Sequence, residues 1–176
     1  MRIEAQGITV DLPPQWEGAI FQRPAVEPGP AVTAPAATAS RAAAASRGAD
    51  TDVQAEQFHP VTHLATFPLP RDRGDFGSGA VERMSPDDVF VAVLEYGPEC
   101  AGTALFQATS LPRFTHANFG PNQLQRVIRG QAGSQAWCTV EGRAFGIYAV
   151  LGSANRAAAL VPRVNSVLAA VTIRPR

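Results

Sequence analysis

A segment without large apolar side chains, residues 24–57, divides this 176-residue chain. Ala, Pro, Gly, Ser and Thr dominate the segment, and none of its aliphatic side chains is larger than Val. Such a composition cannot bury enough apolar surface to offset the entropy that is lost on ordering. We therefore expect residues 24–57 to form a flexible insertion. The pattern favours an exposed loop that tolerates length, and the alternative is an arm that orders on a partner.

The residues before this segment are too few to fold alone. Ile8, Val10 and Leu12 alternate with polar residues, which predicts a half-buried strand, and Ala19–Phe21 is predicted as the second strand of a hairpin. An isolated hairpin is marginal in water, so this one must pack against residues beyond the insertion. The sequence thus predicts one domain, residues 1–176, that contains the insertion.

The rest of the chain predicts an antiparallel sheet with two main helices packed on it. Glu141-Gly142 signals a hairpin, and the continuous apolar runs at 89–94 and 145–151 indicate strands covered on both faces. The fold class is therefore α+β. The further predicted strands are 61–67, 104–106, 135–140, 144–151 and 171–173, and the predicted helices are 121–128 and 155–169.

Two parts of the chain resemble the Mog1/PsbP-like fold. One is the opening strand Ile8–Leu12, which runs into Pro13 and Trp16. The other is the last helix, with an apolar stripe that includes Leu160, which leads directly into a closing strand at 171–173. The resemblance implies non-catalytic binding or assembly work. The insertion at 24–57 and a Gly-rich loop at 71–80 depart from the compact pattern of that family.

Charge and composition exclude several classes of function. The formal net charge is zero, whereas proteins that bind nucleic acid or anionic membranes usually carry a basic surplus. The sequence contains no Lys, which excludes a Walker A phosphate loop, a Schiff-base lysine and a lysine general base. Its Arg-only, Ala- and Pro-rich composition is typical of a high-GC bacterial genome. We expect no nucleic-acid or membrane partner.

The amino terminus predicts a cytoplasmic protein. Residues 1–7 place charges and Gln where a signal peptide has its apolar core, and no run reaches the ~20 apolar residues of a membrane span.

His and Cys residues do not predict a metal or cofactor site. His59 and His63 flank Pro60, which favours an extended chain, and residues four apart on a strand lie about 13 Å from each other. Cys100 follows the charge of Glu99, and Cys138 lies in an apolar strand, so we expect two reduced, inert thiols.

The Gly-rich loop at 71–80 supports an alternative prediction, a site that binds a small molecule. Glycines let backbone N–H groups approach an anion, and Arg71 and Arg73 lie in the same loop. A small-molecule-binding protein or hydrolase would use these two residues with His63 and Glu95. The glycine spacing matches neither common phosphate-binding motif.

The sequence as a whole predicts a non-catalytic cytoplasmic module for protein interaction or assembly: an adaptor, a chaperone or a component of a larger complex. No coherent catalytic constellation is present, so we predict no enzyme. A third alternative is a self-assembling subunit that uses the 24–57 arm. The candidate partner-binding residues are Trp16, Arg71, Arg73, Asp75, Phe76, Phe114 and Phe119.

Overall fold

The computed structural model describes residues 1–22 and 59–176, and the predicted insertion at 24–57 lies outside these residues. Eight strands in the described residues form two antiparallel sheets of three and five strands. The strands are β1 (Arg2–Ala5), β2 (Ile8–Asp11), β3 (Glu17–Gln22), β4 (Pro60–Ala65), β5 (Val89–Glu95), β6 (Ala132–Val140), β7 (Arg143–Leu151) and β8 (Val171–Ile173), and the α-helix α1 is Ala157–Ala169. The strand orders are β1-β2-β8 and β3-β4-β5-β7-β6.

The predicted α+β class with two main helices is wrong. The described residues are mostly β-structure, and α1 is their only α-helix. The predicted helix at 121–128 ends after the 3-10 turn Pro121–Gln123, because Leu124 is already extended with ψ 141°. Leu124 and Ile128 instead pack separately against the larger sheet. The predicted strand at 104–106 is also a 3-10 turn.

The predicted hairpin between residues 8–12 and 19–21 is wrong too. β2 pairs with β1 and β8, whereas β3 pairs with β4 in the other sheet. Gln6 and Gly7 both have positive φ, which allows the two-residue turn that joins β1 to β2. The chain then passes from the small sheet to the large one between Leu12 and Glu17.

Other predicted elements are confirmed. The β6–β7 hairpin turns at Glu141 and Gly142, both with positive φ. The last helix and the strand after it are present as α1 and β8, and Pro162 lies inside the helix. All residues of β5 and β7 are buried, so the larger sheet is covered on both faces.

Different elements pack against the two faces of the larger sheet. One face packs against α1 and the smaller sheet, and its buried side chains include Val91, Ile147, Leu160 and Val164. The opposite face holds the cluster of Phe90, Ala92, Leu94, Tyr148 and Val150, and it packs against loop residues that include Phe76, Val81, Leu124 and Ile128. The Gly-rich loop thus belongs to the cover of this second face.

Gly77 allows this loop to approach the sheet. Its φ is +82°, and a Cβ there would collide with the ring of Phe90. Gly102 has a similar φ of +72°, but a Cβ there would meet nothing within 4 Å. We expect Gly77→Ala to lower the free energy of unfolding by about 2–5 kcal/mol and Gly102→Ala by about 1–2 kcal/mol, since only the first adds overpacking to the left-handed backbone cost. Urea unfolding measures both changes, and equal losses would contradict the close packing of the loop.

Candidate functional site

The aromatic residues predicted to bind a partner lie largely in the core. Trp16 is 8% exposed and Phe114 is 6% exposed, and both belong to the cluster beneath α1. Phe119 is partly buried and packs on Phe114, with ring centroids 5.5 Å apart. Asn165 of α1 accepts from the Phe114 N–H and donates to its carbonyl, each at 2.9 Å. Trp16 and Phe114 therefore leave little surface for a partner.

Three predicted residues of the Gly-rich loop fasten it to the sheet. Arg73 Nε donates to His63 Nδ1 at 2.8 Å, and its guanidinium lies over the Phe21 ring. The other nitrogen of His63 lies 2.7 Å from the carbonyl oxygen of Asp75. Phe76 packs edge-on against Tyr148. These contacts hold the loop against β4 and β7.

His63 is a neutral side chain in this arrangement. Because Nδ1 accepts from Arg73, the proton lies on Nε2, which donates to the Asp75 carbonyl. The ring is fully buried between Phe21 and Phe90. Burial, with a smaller contribution from the nearby charge of Arg73, lowers the pKa of His63 from 6.5 to about 4, although the hydrogen bond to the Asp75 carbonyl partly opposes this shift. His63 is therefore not a general base poised near neutral pH.

The residues of the alternative small-molecule site are separated. His63 lies on the loop-covered face of the larger sheet. Glu95 alternates along β5 with Phe90, Ala92 and Leu94, which line that same face, so its side chain lies on the opposite face. Arg71 is exposed. The structure brings together His63 and Arg73 but not Glu95.

Glu95 of β5 forms a buried ion pair with Arg143 of the neighbouring strand β7, at the point where the larger sheet meets the smaller one. Arg143 Nη2 lies 2.6 Å from Glu95 Oε2, and Arg143 Nε lies 3.0 Å from Oε1. Both side chains are 4% exposed. Arg143 also donates to the carbonyls of Gln6 and Arg174, each at 2.9 Å, and Arg176 lies 3.2 Å from Glu95. The cluster has a structural role, because the N–H groups of Arg143 are bound to the Glu95 carboxylate and to two main-chain carbonyls.

The thiols are poor nucleophiles near neutral pH. Burial raises the pKa of Cys138 to about 11. Burial and the adjacent charge of Glu99 also raise the pKa of Cys100. The described residues contain no group of three metal-binding side chains. Their helices also include none long and apolar enough to cross a bilayer.

The outer side of β6 carries backbone groups without a partner. Gly133 exchanges two hydrogen bonds with Gly120, each at 3.0 Å, and the Thr139 N–H donates to the carbonyl of Ala108 at 2.7 Å. Strand residues alternate in direction, so the N–H and C=O groups of Gln135 and Trp137 point to this same outer side. Within residues 1–22 and 59–176 these groups have no hydrogen-bond partner. We call them the open edge of β6.

A groove lies beside the open edge. Its volume is about 420 Å³, and the loops at 112–118 and around Gln123 form its other wall. Its lining residues are Pro112, Arg113, Phe114, Ala117, Asn118, Gln123, Ser134, Gln135 and Ala136. We call it the β6 groove. A smaller, more apolar hollow of about 160 Å³ lies on the other side of Pro112 and Arg113, against the end of α1.

The lining of the β6 groove is rich in hydrogen-bond donors. Arg113 is its one charged residue, and no Asp or Glu lines it. Arg113 makes no ion pair or hydrogen bond with any other described residue. Ser134 is only 3% exposed, and its hydroxyl likewise has no partner among the described residues. The groove therefore presents unused donors next to an unused strand edge.

Sequence reasoning identified Phe114 but missed the open edge itself. Gln135 was assigned to a strand, yet nothing local shows that this strand ends the sheet order. The small residues Gly133, Ser134 and Ala136, which leave room beside β6, are the one local signal of a groove.

Searches of protein-family models, curated proteins and solved structures find no match to this chain.

Proposed function

We propose that this protein is a non-catalytic interaction module that binds an extended segment of another protein along the open edge of β6. The observation that supports this most is the stretch of unpartnered backbone between the pairs that close the edge at Gly133 and Thr139. The proposed setting is a bacterial cytoplasm, and the work is that of an adaptor or assembly factor, as the Mog1/PsbP-like resemblance implies.

The size of the opening suits a short strand. Gly133 and Thr139 are six residues apart, which corresponds to about 20 Å along a strand. A partner segment of about three residues fits between the two closing pairs and satisfies the backbone groups of Gln135 and Trp137. Each of these main-chain hydrogen bonds contributes about 1 kcal/mol net, and side chains that enter the β6 groove supply specificity.

The chemistry of the other candidate site favours binding over catalysis. Both ring nitrogens of His63 are engaged, and Glu95 is paired with Arg143. His63 and Glu95 therefore both stabilise the fold. They lie on opposite faces of the larger sheet, so they do not line a common substrate site.

Gln135→Pro tests the proposal because it removes an outward N–H without removing a hydrogen bond to β7. Proline is tolerated on edge strands where the N–H faces outward. We expect the full-length Pro variant to capture about tenfold less partner than the wild type does. The measurement is a capture of tagged protein from cells of the source organism, with the partner quantified by mass spectrometry.

Gln135→Ala is the matched control. Both substitutions remove the bond from Gln135 Nε2 to the Gln123 carbonyl, but Ala keeps the backbone N–H. A partner that is retained by the Ala variant and lost by the Pro variant supports edge pairing. Equal capture by both variants, with unchanged melting temperatures, would contradict it, as would the absence of any captured partner.

A further inference from the structure

We propose that the β6 groove selects an acidic side chain on the bound segment, so that the partner is an extended peptide carrying Asp or Glu at one fixed position. This inference rests on the proposed function and names the chemistry of its partner. It follows from the charge of Arg113, which has no partner among the described residues, from the Ser134 hydroxyl, which likewise has none, and from the absence of acidic residues in the lining.

Arg113 supplies the positive charge. Some exposed arginines of the described chain have acidic partners, such as Arg126 with Glu82 and Arg156 with Asp87, whereas others, such as Arg129, have none among the described residues but do not line the groove. Arg113 also has no acidic partner among the described residues, and it lines the β6 groove beside the open strand edge. A planar guanidinium with free N–H groups is suited to a carboxylate, which accepts two parallel hydrogen bonds.

Neutral donors complete the subsite. The carbonyl oxygen of the Asn118 side chain accepts from the Thr115 N–H at 2.7 Å and from the Thr115 hydroxyl at 2.9 Å. The Asn118 side-chain NH₂ group therefore remains available, because no described residue accepts from it. The Ser134 hydroxyl also lines the groove and is able to donate. A carboxylate uses such donors, whereas a Lys or Arg side chain has no acceptor to offer them.

The pleat of β6 brings the partner's side chain to these groups. Ser134 and Ala136 lie on the groove side of β6 and are small, so they leave space above the strand. Every second side chain of a paired segment points to that same side. The intervening side chains lie alongside Trp137 on the other face. The expected segment therefore alternates an acidic residue with residues that pack near an aromatic ring.

A selection from a library of random dodecapeptides displayed on phage, with full-length protein as bait, tests this inference. We expect the selected peptides to share an Asp or Glu at one position. In synthetic copies with blocked ends, replacing this residue by its amide should weaken binding about tenfold at low salt, since hydrogen bonds between charged groups are stronger than neutral ones. Isothermal titration calorimetry gives the affinities.

Arg113→Gln and Arg129→Gln form a matched pair of protein variants. Both residues are exposed arginines, but only Arg113 lines the groove. Arg113→Gln should abolish the difference between the acidic peptide and its amide, and Arg129→Gln should preserve it.

The outcomes separate the two proposals. If Gln135→Pro abolishes peptide binding but the acidic peptide and its amide bind equally, the acidic subsite is overturned and edge pairing stands. If acidic peptides bind the Gln135→Pro and Gln135→Ala variants equally, edge pairing itself is overturned. Failure to select any peptide overturns both. Protection of the Gln135 and Trp137 amides from hydrogen exchange in the wild-type complex reads out edge pairing without any substitution.

Discussion

Arg143→Met is expected to lower the free energy of unfolding by about 3–5 kcal/mol, because it leaves the carboxylate of Glu95 buried without its main partner. The guanidinium of Arg143 bonds to both oxygens of Glu95 and to the carbonyls of Gln6 and Arg174. These contacts link β5 and β7 of the larger sheet to the β1–β2 turn and to the chain after β8. Chemical unfolding at neutral pH measures the loss.

Arg156→Met is the control for Arg143→Met. Arg156 pairs with Asp87 on the surface, where the two side chains are 50% and 60% exposed. Exposed pairs of this kind contribute about 0–1 kcal/mol, so the loss should be small. Glu95→Gln combined with Arg143→Met should recover part of the larger loss, because the uncompensated charge is gone. Equal losses for Arg143→Met and Arg156→Met would contradict a buried, linking role for Arg143.

The stability of the protein should fall as the pH drops from about 6.5 to about 4, by about 3 kcal/mol from His63 alone. The unfolded chain binds a proton at this residue near its ordinary pKa of 6.5, whereas the folded protein binds it only near about 4. The unfolded state therefore carries more protons between these values, and the contribution of neutral His63 is complete only above pH 6.5. Urea unfolding at several pH values measures the slope.

His63→Gln isolates this contribution. Glutamine offers a donor and an acceptor in place of the ring nitrogens but does not titrate, so the variant should lose the part of the slope that His63 provides. His116→Gln, at an exposed position, should keep it. An NMR titration of the wild type follows the ring without any substitution. A His63 signal that titrates near pH 6.5 would contradict the buried, neutral state.

Local sequence patterns predicted the elements whose signals are local. Glu141-Gly142 accepts the positive φ angles of a tight turn, and the apolar stripe of α1 repeats with the helical period. The runs at 89–94 and 145–151 were predicted as doubly covered strands because no charged residue interrupts either of them.

Long-range pairing explains the failed predictions. The pattern in residues 8–12 predicts a strand but does not encode whether its neighbour is β1, β3 or β8. The spacing of Leu124 and Ile128 fits one helical face, yet both residues reach the sheet from an irregular loop, because tertiary packing outweighs a weak local preference.

The candidate site was only partly predictable for the same reason. Arg73, Asp75 and Phe76 were predicted as partner-binding residues, but their contacts with His63 and Tyr148 depend on the loop folding over the sheet. The open edge of β6 depends on strand order, which has no counterpart in the residues of β6 themselves.

Amide hydrogen exchange at Gln135 and Trp137 tests the central claim most directly. In the free protein these two N–H groups should exchange rapidly, while those of Ala136 and Cys138, which point toward β7, should be protected. Addition of a bound partner segment should protect Gln135 and Trp137 together. Slow exchange of both amides in the free protein, or rapid exchange that persists in the complex, would contradict binding along the edge of β6.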